Sequence, residues 1–390
     1  MKSFRHRGLG VFLLILLAGL SAPCRVLAAG AGEYWVYIGT YTGPKSQGIY
    51  ESRMDASGKL TPPELAATGT NPTFLATDPQ HHFLYAVNET TDFNGQKSGA
   101  VTAYAVDSAT GKLTELNQQS SGGEGPCHVS VDATGKTVMV ANYTGGSFAA
   151  YPVRPDGSLG AAASFIQDQG SSIHLPNQAG PHGHCILPDP SNHFALACDL
   201  GIDRVLIYKL DAENAILTAN NPPFASVKPG AGPRHLAFHP NGKFVYVIDE
   251  LDCTLTAFRY DAAHGALTEI QALSTLPADE PIQPNFSCAE VFVHPSGRFL
   301  YASNRGHNSI AEFRVNRRTG FLTLVGHTPT DGEKPRNFNL DPSGKFLLAA
   351  NQDSDNVVIF NVDSGTGQLT PAGQQLKIGS PVAIVFVPVR

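Results

Sequence analysis

Charged side chains are scarce: Asp, Glu, Lys and Arg make up 15% of the 390 residues, where about 25% is usual in globular proteins. Methionine and tryptophan are scarcer, with three and one. Long helices and coiled coils draw on Glu, Lys, Leu and Met, so this composition argues against both. The net charge of −6 is spread without acidic or basic blocks, which leaves no electrostatic footprint for nucleic acid or an anionic membrane. Beyond the N-terminal region no run reaches the roughly 18 apolar residues that a membrane-spanning helix needs. C-x-x-C pairs and Cys/His clusters with zinc spacing are missing. So is a G-x-S-x-G elbow, which removes the serine-nucleophile esterases. What is plentiful is punctuation: 39 Gly and 28 Pro form about 17% of the chain against roughly 12% in average usage. With 42% apolar and 9% aromatic residues the chain can still bury a large core. An all-β protein is expected.

The N-terminal region reads as a secretory signal. Lys2, Arg5 and Arg7 precede an almost wholly apolar run over residues 11–20, and Val26-Leu27-Ala28 offers small residues where a signal peptidase reads. This predicts a signal peptide over 1–28, one domain over 29–390, and a periplasmic or secreted product with no membrane attachment after cleavage. Cys24 raises a lipoprotein alternative, but Pro23 stands before it where a small residue is needed. Cleavage leaves Cys127, Cys185, Cys198, Cys253 and Cys288, an odd number scattered along the chain. They are expected to act mostly as small buried apolar groups; Cys185 and Cys198 fall on neighbouring predicted strands.

A repeat organises everything after residue 34. Each copy is an apolar strand, a turn of the His-Pro-Asn-Gly-Lys type, a second strand ending in Asn or Asp, and two further strands. The clearest turns are His239-Pro240-Asn241-Gly242-Lys243, His294-Pro295-Ser296-Gly297-Arg298 and Asp341-Pro342-Ser343-Gly344-Lys345. Copies begin near Pro72, Pro126, Pro181, Pro233, Cys288, Pro335 and Pro381. A second punctuation, as in Asp107 to Leu113, Asp261 to Leu267 and Asp363 to Leu369, reads as the hairpin between the outer two strands. Four short strands at this period predict a β-propeller. The last copy runs out after one strand, while residues 35–40, 48–53 and 60–68 supply three. The C-terminal strand is therefore predicted to complete the first of seven blades. The Gly-His and Trp-Asp signatures of WD40 repeats are missing.

The register of the repeat gathers side chains at one mouth of the central channel, because the start of the first strand and the end of the second share an edge. Six positions before the turn stand Thr73, Cys127, His184, Arg234, Ala289 and Arg336; the next residues are Phe74, His128, Cys185, His235, Glu290 and Asn337. At the ends of the second strands stand Asn88, Asn142, Asp199, Asp249, Asn304 and Asn351, followed by Glu89, Tyr143, Leu200, Glu250, Arg305 and Gln352. The uniform Asn/Asp row suits a scaffold role, a short side chain satisfying backbone groups after the strand. The other rows differ from blade to blade, and their charged members concentrate in blades 4 to 7. Three arginines with carboxylates and histidines around one mouth can hold an anionic ligand and move a proton. The alternative is a solvated rim of ion pairs.

Tyr37-Ile38-Gly39-Thr40-Tyr41-Thr42, Asn71-Pro72-Thr73-Phe74-Leu75, Gly180-Pro181-His182-Gly183-His184, Asp199-Leu200-Gly201-Ile202-Asp203-Arg204-Val205, Gly232-Pro233-Arg234-His235 and Ser303-Asn304-Arg305-Gly306 resemble the seven-bladed propeller lactonase family, which includes 6-phosphogluconolactonases and carboxy-muconate cyclases. The resemblance implies a seven-bladed fold, a site at one channel mouth, and no required metal or cofactor. It implies a catalytic group of His182 or His184, Arg234 and Glu250. The substrate is expected to lie against His128, His235, Glu290, Arg305 and Arg336. The expected activity is hydrolysis of a small anionic, sugar-acid type lactone by water, with Glu250 or a histidine of the 182/184 pair as base and Arg234 and Arg305 on the oxyanion. A lactonising cyclase is the first alternative, and a non-catalytic secreted propeller that binds a sugar acid or a protein the second. A calcium-dependent lactonase is disfavoured by the arginines. A monomer without nucleic-acid or membrane partners is expected.

Overall fold

The computed structural model describes Met1 and residues 32–390; the predicted signal segment, Met1 apart, lies outside the described residues. The described chain forms seven four-stranded antiparallel sheets in the order the repeat predicts. Blade 1 consists of Tyr34–Thr40, Gly48–Met54 and Glu64–Thr68, with the C-terminal strand Pro381–Pro388 at its inner edge. That strand pairs along the whole of its partner, from Tyr34 opposite Pro388 to Thr40 opposite Pro381. In the other six blades the innermost strands are Leu75–Thr77, Pro126–Val131, Gly183–Pro188, Pro233–Phe238, Ser287–Val293 and Pro335–Leu340. Each touches the innermost strand of the next blade, so the ring closes. The single helical turn among the described residues is the 3-10 segment Leu200–Ile202.

The apolar alternation of the strands is consumed between blades. Seven clusters of buried residues lie one to each interface: Tyr246 and Ile248 of blade 5 pack on Val291 and Leu300 of blade 6, and Val36 and Ile38 of blade 1 on Phe346 and Leu348 of blade 7. The punctuation residues are bolts between the same neighbours. Buried Tyr37, Tyr85, Tyr246 and Tyr301 donate their hydroxyls to the carbonyls of Gly111, Gly157, Gly320 and Gly367 in the outer hairpin of the adjoining blade, at 2.8–3.0 Å. Those hairpins need glycine: Gly157 has φ +84°, and a Cβ there would stand 2.2 Å from Phe83.

The Asn/Asp row does serve the scaffold, but not as its spacing suggests. Asn88, Asn142, Asn304 and Asn351 donate to the carbonyls of Thr70, Ser121, Thr275 and Thr330, which belong to the segments arriving from the preceding blade. Within their own blades Asn88 accepts from the Thr102 hydroxyl and Asn142 and Asn304 donate to those of Ser147 and Ser309, while Asp199 accepts from the backbone of His182 and Gly201, and Asp249 from the hydroxyls of Thr254 and Thr256. All five predicted mature cysteines are buried with free thiols; Cys185 and Cys198 sit opposite one another on paired strands. No described helix is long and apolar enough to cross a membrane.

Candidate active site

The innermost strands share an irregularity at the mouth where they begin. The pairing slips at Cys127, His184, Arg234 and Arg336, and in blade 6 across Ala289 and Glu290. A bulge sets two residues against one and re-aims the extra side chain. This brings two consecutive rows to the channel where a regular strand would send alternate residues to opposite faces.

The outer layer is a web of arginines and carboxylates. Glu250 Oε2 lies 2.9 Å from Arg234 Nε and 2.9 Å from Arg305 Nη2. The Nε–H of Arg234 is not aligned on that oxygen, so this contact is coulombic more than a hydrogen bond. Each guanidinium is also braced by backbone: Arg234 Nη1 donates to Ala289 O at 2.6 Å and Arg305 Nη2 to Cys288 O at 2.7 Å. Neither Arg234 Nη2 nor Arg305 Nη1 hydrogen-bonds to a described residue. Arg336 lies over the ring of Tyr41 and 3.9 Å from Glu89 Oε2, while Glu89 accepts from Tyr41 and Thr73 hydroxyls at 2.7 and 2.6 Å.

These contacts set the protonation states. Burial pushes the Glu250 carboxyl upward, but Arg305, Arg234 and Arg336 outweigh it and hold the group below its ordinary 4.5. Burial, then repulsion from Arg305 and Arg336, lowers Arg234 to about 10, still a cation at neutral pH. Glu250 is thus an anchored carboxylate whose second oxygen hydrogen-bonds to no described residue.

The histidines separate by depth. His182 is half-buried at the mouth, its ring stacked on Tyr143 with 4.5 Å between centroids. Its Nδ1 lies 2.9 Å from the Tyr143 carbonyl. A carbonyl only accepts, so Nδ1 carries a hydrogen, and in the neutral ring Nε2 is the nitrogen with the lone pair. His184, His128 and His235 are each 3% exposed and form an inner layer of rings 5.0–5.3 Å apart. Burial drives all three well below the usual histidine range, so they stay neutral at neutral pH. His235 Nδ1 lies 2.8 Å from Glu290 Oε1, and Asn337 Nδ2 donates to Glu290 Oε2 at 2.6 Å. Burial raises Glu290 to about 7.

Of the residues singled out from the sequence, Arg234, Glu250 and Arg305 are in direct contact, and His182 and Arg336 lie on the same layer. His184 is buried below His182, although only Gly183 separates them. His128, His235 and Glu290 instead line a channel cavity of about 430 Å³ that runs from the histidine layer along Phe74, Leu187, Phe238 and Phe292 towards the other mouth. The ionised cluster faces two other hollows. One, of about 390 Å³, contains Glu250, Leu251, His174 and Ile282; the other, of about 410 Å³, contains Arg305, Asn308 and Lys334; both share Asn285 and Ser287. Although the channel cavity is slightly larger, its histidines are neutral and its walls largely apolar.

A family profile described as "Lactonase, 7-bladed beta-propeller" matches residues 35–386. The chain belongs to the seven-bladed β-propeller lactonase family. It is a lactone hydrolase, similar to proteins named 6-phosphogluconolactonase. The lactonase is 41% identical to the 6-phosphogluconolactonase of Bacillus subtilis over 310 residues, 79% of this chain and 85% of the relative. It is 36% identical to that of Formosa agariphila over 274 residues, 70% and 75% of the two chains. Among solved structures, the periplasmic gluconolactonase of Pseudomonas aeruginosa superposes with a TM-score of 0.86 at 34% identity, covering 92% of this chain and all of that one.

Three further residues, not among the expected catalytic or substrate-binding groups, meet the cluster at the lactonase mouth: Tyr41, Glu89 and Tyr143. Glu89 and Tyr143 stand in the same register row as Glu250 and Arg305, and Tyr41 follows the first predicted strand. The row was a sufficient signal for the first two. Pairing of Glu89 in blade 2 with Arg336 in blade 7 depends on ring closure, which spacing alone does not convey.

Proposed function

We propose that the lactonase works at the Glu250 mouth, on a sugar-acid lactone, after export. Glu250 takes a proton from water through its unpaired oxygen as the water oxygen attacks the lactone carbonyl. The oxyanion that forms meets the unpartnered N–H groups of Arg234 and Arg305. Collapse breaks the ring C–O bond, and the proton on Glu250 passes to the departing alkoxide, giving a hydroxy acid. His182, with its Nε2 lone pair held outward by the Tyr143 carbonyl, accepts a hydrogen bond from a substrate hydroxyl. His184, His235 and Glu290 support the layer from beneath.

The observation that carries this reading is the sharing of one Glu250 oxygen between two guanidiniums. It leaves a carboxylate that is ionised at neutral pH beside donors with no protein partner. A rim of mutually satisfied ion pairs would not leave both unmatched. Export is supported by the N-terminal pattern and by the likeness to a periplasmic enzyme. All seven blades come from one chain, so the mouth is complete in a monomer.

Initial rates of lactone opening, followed by acid release, test the reading with Glu250→Gln. A lost general base costs about 10²- to 10⁴-fold in turnover, with the circular dichroism spectrum unchanged. Near-normal rates in the folded variant would refute the assignment.

A further inference from the structure

The repeat accounts for the catalytic cluster but not for the walls around it, which come from two long connections, residues 168–182 before blade 4 and 275–287 before blade 6. Their polar side chains at the Glu250 hollow are His174 and the amides and hydroxyl of Asn177, Gln283, Asn285 and Ser287, with no carboxylate, lysine or arginine among them. The side chains of Asn177, Asn285 and Ser287 and the ring of His174 hydrogen-bond to no described residue. The backbone that carries them is nonetheless fixed. Buried Gln178 donates to Leu200 O at 2.8 Å and to Asp203 Oδ1 at 2.7 Å, and its own Oε1 accepts the His174 N–H at 2.9 Å. Asp203 Oδ2 further holds the Ser172 hydroxyl and the Gly230 N–H. In the second connection Glu280 Oε2 lies 3.2 Å from His307 Nε2, and Phe286 packs edge-on against the same ring. Unused donors and acceptors on a fixed wall form a preorganised surface for hydroxyl groups.

Charge pairing narrows the ligand. Arg234 and Arg305 share Glu250, Arg336 faces Glu89, and in the neighbouring hollow Lys334 lies 3.5 Å from Asp353 with Glu333 beside it. Three arginines against two glutamates leave one positive charge, which matches the single negative charge of the oxyanion. A phosphate monoester carries about −1.5 to −2 and would meet carboxylates on every cation it approached.

We propose that the hollow beside Glu250 is a hydroxyl-binding subsite, and that the lactonase takes an uncharged, polyhydroxylated lactone in preference to a phosphorylated or carboxylated one. This rests on the active-site reading above and adds to it the class of substrate. The sequence pointed to an anionic lactone because it shows three arginines without showing which carboxylates they meet.

The test compares kcat/KM on a six-carbon aldonolactone, on its 6-phosphate and on unsubstituted δ-valerolactone, for the wild type, the exposed pair Asn177→Ala/Asn285→Ala, and Glu250→Gln. Wild type is expected to favour the unphosphorylated aldonolactone over its phosphate by roughly tenfold or more, as unpaired charge is penalised. The double variant is expected to lose about fivefold more on the aldonolactone than on δ-valerolactone, which has no hydroxyls to hold. A preference for the phosphate, or equal losses on both lactones, would overturn the subsite. Glu250→Gln separates the two readings. If it keeps wild-type turnover, the mouth is not the active site and both fall; if it is inactive while the phosphate is preferred, only the subsite falls.

Discussion

A single carboxylate oxygen decides how the site is read. Glu250 Oε2 is shared between two arginines, and everything proposed for the mouth follows from the oxygen left over. Beneath it, Glu290 behaves in the opposite way. Its folded pKa of about 7 stands above the ordinary 4.5 because burial opposes ionisation. A raised carboxyl pKa makes the folded state relatively less stable as pH rises from the unfolded value through the folded one. The shift corresponds to about 3 kcal/mol at most. Glu290→Gln is therefore expected to melt near the wild-type temperature at about pH 5 and clearly above it at about pH 8; thermal scans at both values check this, and a gain of equal size at both would contradict it. Residue identity at the mouth was legible because rows that vary among otherwise similar repeats stand out. Depth was not. His184 is buried against Tyr143 and His235 while His182 stays half-exposed at the mouth, and nothing in Gly-Pro-His-Gly-His distinguishes them.

Among the elements, turns and strands were the most readable. Positive-φ glycines such as Gly242 and Gly344 fall at the tight turns the Pro-x-Gly pattern marks. The Asn row was legible as scaffold, yet its carbonyl partners lie in the preceding blade and need tertiary structure to be seen. The connections over residues 168–182 and 275–287 carry no repeat signal, and they wall the site. Gln178 is the pin of the first: its amide fills a buried position between Leu200 and Asp203. Gln178→Ala leaves those acceptors unmatched at a cost of about 1–3 kcal/mol. Limited proteolysis is expected to cut the variant within residues 168–182 much faster than wild type, with KM for the lactone raised more than kcat is lowered. An unchanged cleavage pattern would show that the connection is held by something else.

At the scale of the molecule the account depends on closure. The C-terminal strand supplies buried Val382, Ile384, Phe386 and Val387 and covers the inner edge of blade 1. Each such side chain is worth about 1.5–3 kcal/mol, and a domain's net stability is only about 5–15 kcal/mol. A chain ending at Ser380 is therefore expected to lose its cooperative thermal transition and to be recovered as aggregate; a soluble truncation that melts cooperatively would contradict the clasp. Closure was legible because the first repeat lacks one strand and the last has only one. Arg336 of blade 7 meets Tyr41 of blade 1 and Glu89 of blade 2 only in the closed ring, so site and clasp stand together.

The most direct test of the central claim is the dependence of kcat/KM on pH for the wild-type lactonase, corrected for spontaneous lactone opening. Glu250 is held below the ordinary carboxylate value by its arginines, so the free enzyme's essential base is already ionised across the neutral range. The predicted profile is flat through neutral pH, with its acid limb below 4.5. An acid limb at about 6 to 7, in the range of an ordinary histidine, would contradict the account and move the base from Glu250 to His182 or to the His235–Glu290 pair.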